Sequence, residues 1–255
     1  NCQIEFRYSI ANRNATVNVN NSINQRFYIE SILEFGASGA GNSSPKFIFD
    51  PVAYGVPGQP LNISFGASDS DGDSLKYSLV NAQSIGGFLG GTPTNMTYNT
   101  GYSATSPIQG VILDQFTGAL TALPTTTGNF IIVVKVEEFN AGGNLIGEVL
   151  RDIQVVIVNS TNLFPVAPTS FTNFSGYADS TNQTTVTAFP GMDFCLDLVF
   201  TDANSADSLT LNTNLATVLP GASLNVTGQN PLTVNVCWTA TTGLPTNNTV
   251  IFNVS

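Results

Sequence analysis

Hydrophobic residues along this chain come in short runs rich in Val, Ile, Phe, Tyr and Thr, broken by Gly, Pro and Asn. That is the punctuation of β-strands. Six runs stand out: Gln3–Ser9, Arg26–Leu33, Leu61–Phe65, Leu75–Val80, Asn129–Glu138 and Gly147–Val158. No window holds a sustained i, i+3, i+4 apolar stripe, so helices should be few and short. The last two runs are almost continuously apolar and flank Ala141-Gly-Gly-Asn144, residues that tolerate the positive φ of a tight turn. Together they predict a long hairpin running through a sandwich interior, and with it an all-β architecture.

A degenerate internal repeat divides the chain. Pro57-Gly58-Gln-Pro-Leu61 leads through a strand to Asp69-Ser-Asp-Gly-Asp-Ser-Leu75, and Pro190-Gly191-Met-Asp-Phe194 leads through a strand to Asp202-Ala-Asn-Ser-Ala-Asp-Ser-Leu209. Gly58 to Gly191 and Asp69 to Asp202 share one offset of 133 residues (191−58 and 202−69), as two copies of one module would. The strands are interrupted between Asn159 and Pro168. We therefore expect residues 45–160 to form a first β-sandwich module and 161–255 a second, truncated or whole. Residues 1–44 read as the C-terminal part of a preceding β domain. Asn1-Cys2-Gln3 lacks the charged and apolar regions of a signal peptide, and Val250–Ser255 reads as a strand. Both ends suggest a fragment of something longer.

Composition narrows the function. The 255 residues carry 7 Lys+Arg, 17 Asp+Glu and no His, a net charge of −10, with 9% charged and 42% hydrophobic residues. Enough apolar chain is present to fold. Without His, catalysis by a Ser-His-Asp or Cys-His arrangement and His-ligated zinc are excluded. Few, scattered basic residues leave no electrostatic footprint for nucleic acid. The longest apolar stretch, Phe130–Val134, ends at Lys135, far short of the ~20 residues of a membrane-spanning helix.

The sharpest chemical feature is Asp69-x-Asp71-Gly72-Asp73. Carboxylates at alternating positions of a Gly-containing turn can converge on a hard cation, and oxygen ligands suit Ca²⁺. An EF-hand needs Glu at position 12 of its loop, where this chain has Val80. Two readings remain: a Ca²⁺ site that stiffens the module, with Asp69, Asp71 and Asp73 as ligands, or an Asp-rich turn without metal. The second copy keeps Asp202 and Asp207 but lacks the Asp-Gly-Asp core.

Three cysteines allow one disulfide and one leftover. Cys195 and Cys237 lie on strands of the second module, and Cys237 precedes Trp238. On facing sheets beside a buried Trp they would form an inter-sheet bridge; the alternative is two buried thiols. Cys2 would pair upstream. No convergent acid/base pair is present, so no catalytic residue is expected. Glu137 and Glu138 are adjacent on a strand and point to opposite faces, while Glu148 and Asp152 share a face beside Arg151 and read as structural pairing. Sequons such as Asn42-Ser-Ser, Asn62-Ile-Ser, Asn95-Met-Thr and Asn225-Val-Thr arise by chance in so Asn- and Thr-rich a chain. Residues 83–106, with exposed Tyr98 and Tyr102, read as a long loop: a solvated insertion or a binding loop.

Several stretches resemble one family. Asn42-Ser-Ser-Pro-Lys-Phe47, Pro57-Gly58-Gln-Pro60, Ala67–Leu79, Phe116-Thr-Gly-Ala-Leu120, Gly128–Glu138 and Ile146–Val155 look like the repeat modules of giant secreted surface proteins of Bacteroidota. Arg13-Asn14-Ala with Tyr28-Ile29-Glu30 resembles their preceding segment, and Phe194-Cys195 with Cys237-Trp238-Thr239 their next module. The resemblance implies tandem immunoglobulin-like (cadherin-like or PKD-like) sandwiches, export by the type IX secretion route, an extracellular place on the cell surface, and a role in adhesion or gliding motility. It also implies Ca²⁺ at Asp69, Asp71 and Asp73. Partners would be neighbouring modules of the same chain, surface glycans or other surface proteins, and further copies of the chain. Relatives carry Cys before the Gly-Gln pair and Cys-Cys before Arg-Asn, where this chain has Val56-Pro57 and Ala11-Asn12. Their intramodule bridges are therefore not expected in the first module. Two other readings remain open: a carbohydrate-binding accessory module of a secreted enzyme, and a filament subunit assembled by strand exchange.

Overall fold

The structure, a computed structural model, describes residues 2–35, 41–50, 53–87, 91–176, 178–182, 185–244 and 248–255. It is nearly all-β, with 48% strand and 3% helix, and divides into two compact units, Asn1–Ser160 and Thr161–Ser255.

In the first unit the strands are β1 (Cys2–Ile10), β2 (Phe27–Phe35), β3 (Lys46–Phe47), β4 (Tyr54–Gly55), β5 (Leu61–Ser64), β6 (Ala67–Ser68) and β7 (Ser74–Leu79). They continue with β8 (Gln83–Ile85), β9 (Pro93–Asn95), β10 (Ile112–Leu113), β11 (Ala119–Ala122), β12 (Gly128–Phe139) and β13 (Leu145–Ile157). Each of the six runs singled out above lies within two residues of a strand. An eight-stranded sheet runs in the order β7-β12-β13-β2-β8-β9, with β1 on β2 and β4 on β13, and a smaller sheet runs β10-β11-β5.

The hairpin β12–β13 organises the unit. Phe130, Ile132, Val134 and Val136, every second residue of β12, are fully buried and share one core with Ile153, Val155 and Ile157 of β13. Leu61 and Ile63 of β5 and Leu120 and Ala122 of β11 complete that core from the smaller sheet. The odd residues Ile131 and Val133 are buried too, in a second cluster with Val19, Ala82 and Met96. That explains why the run reads as continuously apolar: both of its faces are covered.

Residues 1–44, which the sequence assigns to a preceding domain, contribute β1 and β2 to the eight-stranded sheet. Leu33 of β2 pairs Gly147 of β13, and Tyr28 pairs Gln83 of β8. Buried Asn18 ties the intervening loop down. Its Nδ2 donates to the carbonyls of Pro107 (2.9 Å) and Ile131 (2.7 Å), and its Oδ1 accepts from the Ile131 amide (3.0 Å). Arg13 donates to both oxygens of Asp152 at 3.1 and 2.6 Å, and each side chain is 4% exposed.

The second unit holds β14 (Thr172–Gly176), β15 (Ala178–Asn182), β16 (Thr185–Ala188), β17 (Asp193–Phe200), β18 (Leu211–Thr213), a four-residue helix α1 (Leu215–Val218), β19 (Ser223–Thr227), β20 (Leu232–Thr239) and β21 (Phe252–Val254). Its main sheet is antiparallel in the order β14-β17-β20-β19. Phe194, Leu196, Leu198 and Phe200 of β17 are buried with Leu232, Val234, Val236 and Trp238 of β20.

A disulfide joins Cys195 to Cys237, but not between facing sheets. The two residues oppose one another directly on neighbouring strands β17 and β20 of one sheet. Side chains alternate along a strand. Because Phe194 and Trp238 face the core, Cys195 and Cys237 lie on the other face. Adjacency to the buried Trp therefore argues against the expected inter-sheet position.

Candidate cation site

The Asp69–Asp73 turn sits where β7 begins. Antiparallel pairing sets Ser74 of β7 opposite Phe139, the last residue of β12, and Leu75 opposite Glu138. The turn is thereby delivered to the end of β12, and carboxylate oxygens of Asp69, Asp73 and Glu138 lie within 4.8 Å of one another.

Local hydrogen bonds shape the turn. Asp69 Oδ1 accepts from the amides of Asp71 (2.8 Å) and Asp73 (3.1 Å), the Asx geometry that Asp favours in turns. Gly72 supplies the positive φ of 82° that closes it. Asp69 Oδ2 is buried without a hydrogen-bond partner. Of the expected ligands, Asp69 and Asp73 come together. Asp71 turns Oδ2 away, to accept from the Ser43 amide at 2.7 Å. That bond holds the segment leading into β3 against the turn and sets Asn42 beside the cluster; both polar side-chain atoms of Asn42 are buried without partners.

Glu138 is the unusual member. It is 0% exposed, and neither carboxylate oxygen has a hydrogen-bond partner. It continues the core-facing stripe of Phe130, Ile132, Val134 and Val136, so strand periodicity aims it inward. Burial pushes its carboxyl up to about 7, the Asp69 and Asp73 charges push it the same way, and the Asn42 side chain draws it down without completing a hydrogen bond to either oxygen. Asp73 is also raised, first by burial and then by Asp69 and Asp71. Room for the Glu138 carboxylate comes from Gly147, its partner across β12–β13: a methyl there would overlap Glu138 Oε2.

Three carboxylates this close repel one another, and a buried, unpaired carboxylate is costly unless a cation or proton meets it. All the available donors are oxygens, the set that suits a hard divalent ion such as Ca²⁺ over a thiophilic metal. Asp69, Asp73 and Glu138, with the Asn42 carbonyl beside them, are the residues that could hold such an ion.

The other residues singled out from the sequence have structural roles. Lys135 pairs with Glu137 (2.9 Å) and Glu148 (3.3 Å). Arg151 donates to the Phe49 carbonyl at 2.7 Å and stacks over Phe47. Tyr98 and Tyr102 are half-buried, not exposed as expected. The Tyr98 hydroxyl accepts from the Ala82 amide, and Tyr102 meets Phe130 edge-on while its hydroxyl accepts from Gln109. Short strands β8 and β9 take up six residues of the expected loop, whose residues 88–90 lie outside the described residues. In the second unit, buried Asp202 accepts from the Asn204 amide at 2.7 Å. Among the described residues no acidic group gathers around it.

Glu138, Asn42 and Gly147 were not foreseen as site residues. A signal for Glu138 was available: an acid at a core-facing position of an otherwise apolar strand. No protein-family model matches the chain, and no curated protein matches its sequence.

Proposed function

We propose that this chain is a non-catalytic structural segment of an extracellular bacterial surface protein. Its units act as tandem immunoglobulin-like sandwich modules, of the cadherin-like or PKD-like kind, in a calcium-stiffened stalk or adhesin repeat serving surface attachment or gliding motility. The observation that carries this reading is the fully buried, unpartnered Glu138 carboxylate beside Asp69 and Asp73. A divalent ion there would offset two of the three negative charges and tie the Asp turn to the end of β12, stiffening the edge where β7 begins. Asp71 would contribute by holding the Asn42–Ser43 segment in place.

Two further observations support the setting. A disulfide fits an oxidising compartment, and among the described residues no helix is long and apolar enough to cross a membrane. Neighbouring modules would be the constant partners, with surface glycans or proteins engaged through other parts of the protein.

Limited proteolysis of the chain with Ca²⁺ and with chelator tests the stiffening. The reading expects cleavage in residues 67–74 to slow when Ca²⁺ is present, and equal rates would contradict it. A glycan array separates a spacer, which binds nothing, from a carbohydrate-binding accessory module.

A further inference from the structure

β1 is a long edge strand with an unusual surface. It pairs β2 along all nine of its residues, and no other strand among the described residues pairs its outer side. Ile4, Phe6, Tyr8 and Ile10 project from one face, 40%, 60%, 55% and 46% exposed. Ile4, Tyr8 and Ile10 stand opposite Leu33, Ile29 and Phe27 of β2, and Phe6 stands opposite Ser31. The opposite face carries Glu5 and Arg7, joined by an ion pair of 2.6 Å. An unpaired edge of this length with an apolar face is a template for another strand.

We propose that a second copy of this chain occupies that edge, its β1 antiparallel to the first about a two-fold axis at Phe6. Charge selects the register. With Phe6 opposite Phe6 of the second copy, Glu5 faces Arg7 of the other chain and Arg7 faces its Glu5, giving two symmetric pairs of opposite charge. Ile4 then faces Tyr8, and all nine residues from Cys2 to Ile10 are paired. A shift that centres the axis on residue 5 sets Glu5 against Glu5; one that centres it on residue 7 sets Arg7 against Arg7. Like charges directly opposite on paired strands are destabilising. Registers displaced by one residue place the apolar face of one strand beside the charged face of the other. The alignment that neutralises the charges is thus also the one that pairs the whole strand and joins the two apolar stripes. The contact is isologous, so it closes as a dimer and does not propagate.

Sedimentation analysis of the 255-residue chain, wild type and charge variants, over a concentration series tests the proposal. Wild type should reach twice the chain mass as concentration rises. Glu5→Arg alone and Arg7→Glu alone each bring like charges together and should weaken the dimer by about tenfold or more. Mixed in equal amounts, the two variants restore opposite charges at both positions and should form a heterodimer with near wild-type affinity. That recovery also shows that each variant is folded. A wild-type chain that stays monomeric throughout overturns the proposal. So does a dimer that both single variants leave unchanged, or a mixture that does not recover.

Discussion

Glu138 and Gly147 oppose one another across the β12–β13 ladder, and the space of the glycine's missing side chain is filled by the carboxylate. Gly147→Ala should therefore displace Glu138 and destabilise the first unit by about 1–3 kcal/mol, as overpacking of a filled site does. Urea unfolding of the variant in chelator measures this. Glu138→Gln removes the buried charge and acts oppositely: in chelator near pH 8 it should stabilise the unit by about 1 kcal/mol or more, the sign expected when a buried carboxylate has no partner.

The same carboxyl gives stability a pH dependence. Folding raises it from an ordinary 4.5 to about 7, first through burial, so the folded chain binds this proton more tightly than the unfolded one. Its contribution is fully present below about 4.5 and is lost as pH rises through about 7. Asp73, also raised, acts in the same direction. In chelator, the melting temperature of the first unit should fall between pH 5 and pH 8, and Glu138→Gln should flatten that fall. A wild-type slope equal to that of the variant would count against the burial of this group.

Arg13 and Asp152 form a buried ion pair in the first unit, joining the loop after β1 to β13. Burial raises Asp152 while Arg13 draws it down. Arg13→Met leaves the carboxylate uncompensated and should cost about 3–5 kcal/mol. Glu148→Gln, at the half-exposed Lys135 cluster, should cost less than about 1 kcal/mol. Denaturant midpoints of the two variants give the comparison.

In the second unit the Cys195–Cys237 disulfide spans 42 residues of sequence. Replacing both cysteines by Ser should destabilise that unit by about 2–4 kcal/mol through the greater freedom of its unfolded chain. The unfolding of residues 1–160, followed by hydrogen exchange, should be unaffected.

Much of this was legible in the sequence, for reasons that its residues explain. The strand runs were readable because alternation and turn residues are local signals, and the Ala141–Asn144 turn closes the hairpin as its composition predicts. The Asp turn was readable as chemistry, but not its third carboxylate, because Glu138 reaches Asp73 through a strand pairing between residues distant in sequence. Its position in the register of Phe130, Ile132, Val134 and Val136 held the clue. Parity likewise decides the disulfide: a Cys next to a core-facing Trp points away from the core. The place of β2 beside β13 depends on a pairing across more than a hundred residues, which no local pattern reports.

Calorimetric titration of Ca²⁺ into the metal-free chain, with Glu138→Gln and Asp71→Asn alongside, tests the central claim most directly. The wild type should bind one ion in the first unit and gain about 2.7 kcal/mol of stability when Ca²⁺ reaches a hundred times its Kd. Glu138→Gln should lose that binding, and Asp71→Asn, whose side chain turns to Ser43, should keep it in weakened form. A wild-type chain that takes up no Ca²⁺, or a Glu138→Gln variant that binds as the wild type does, would contradict the account.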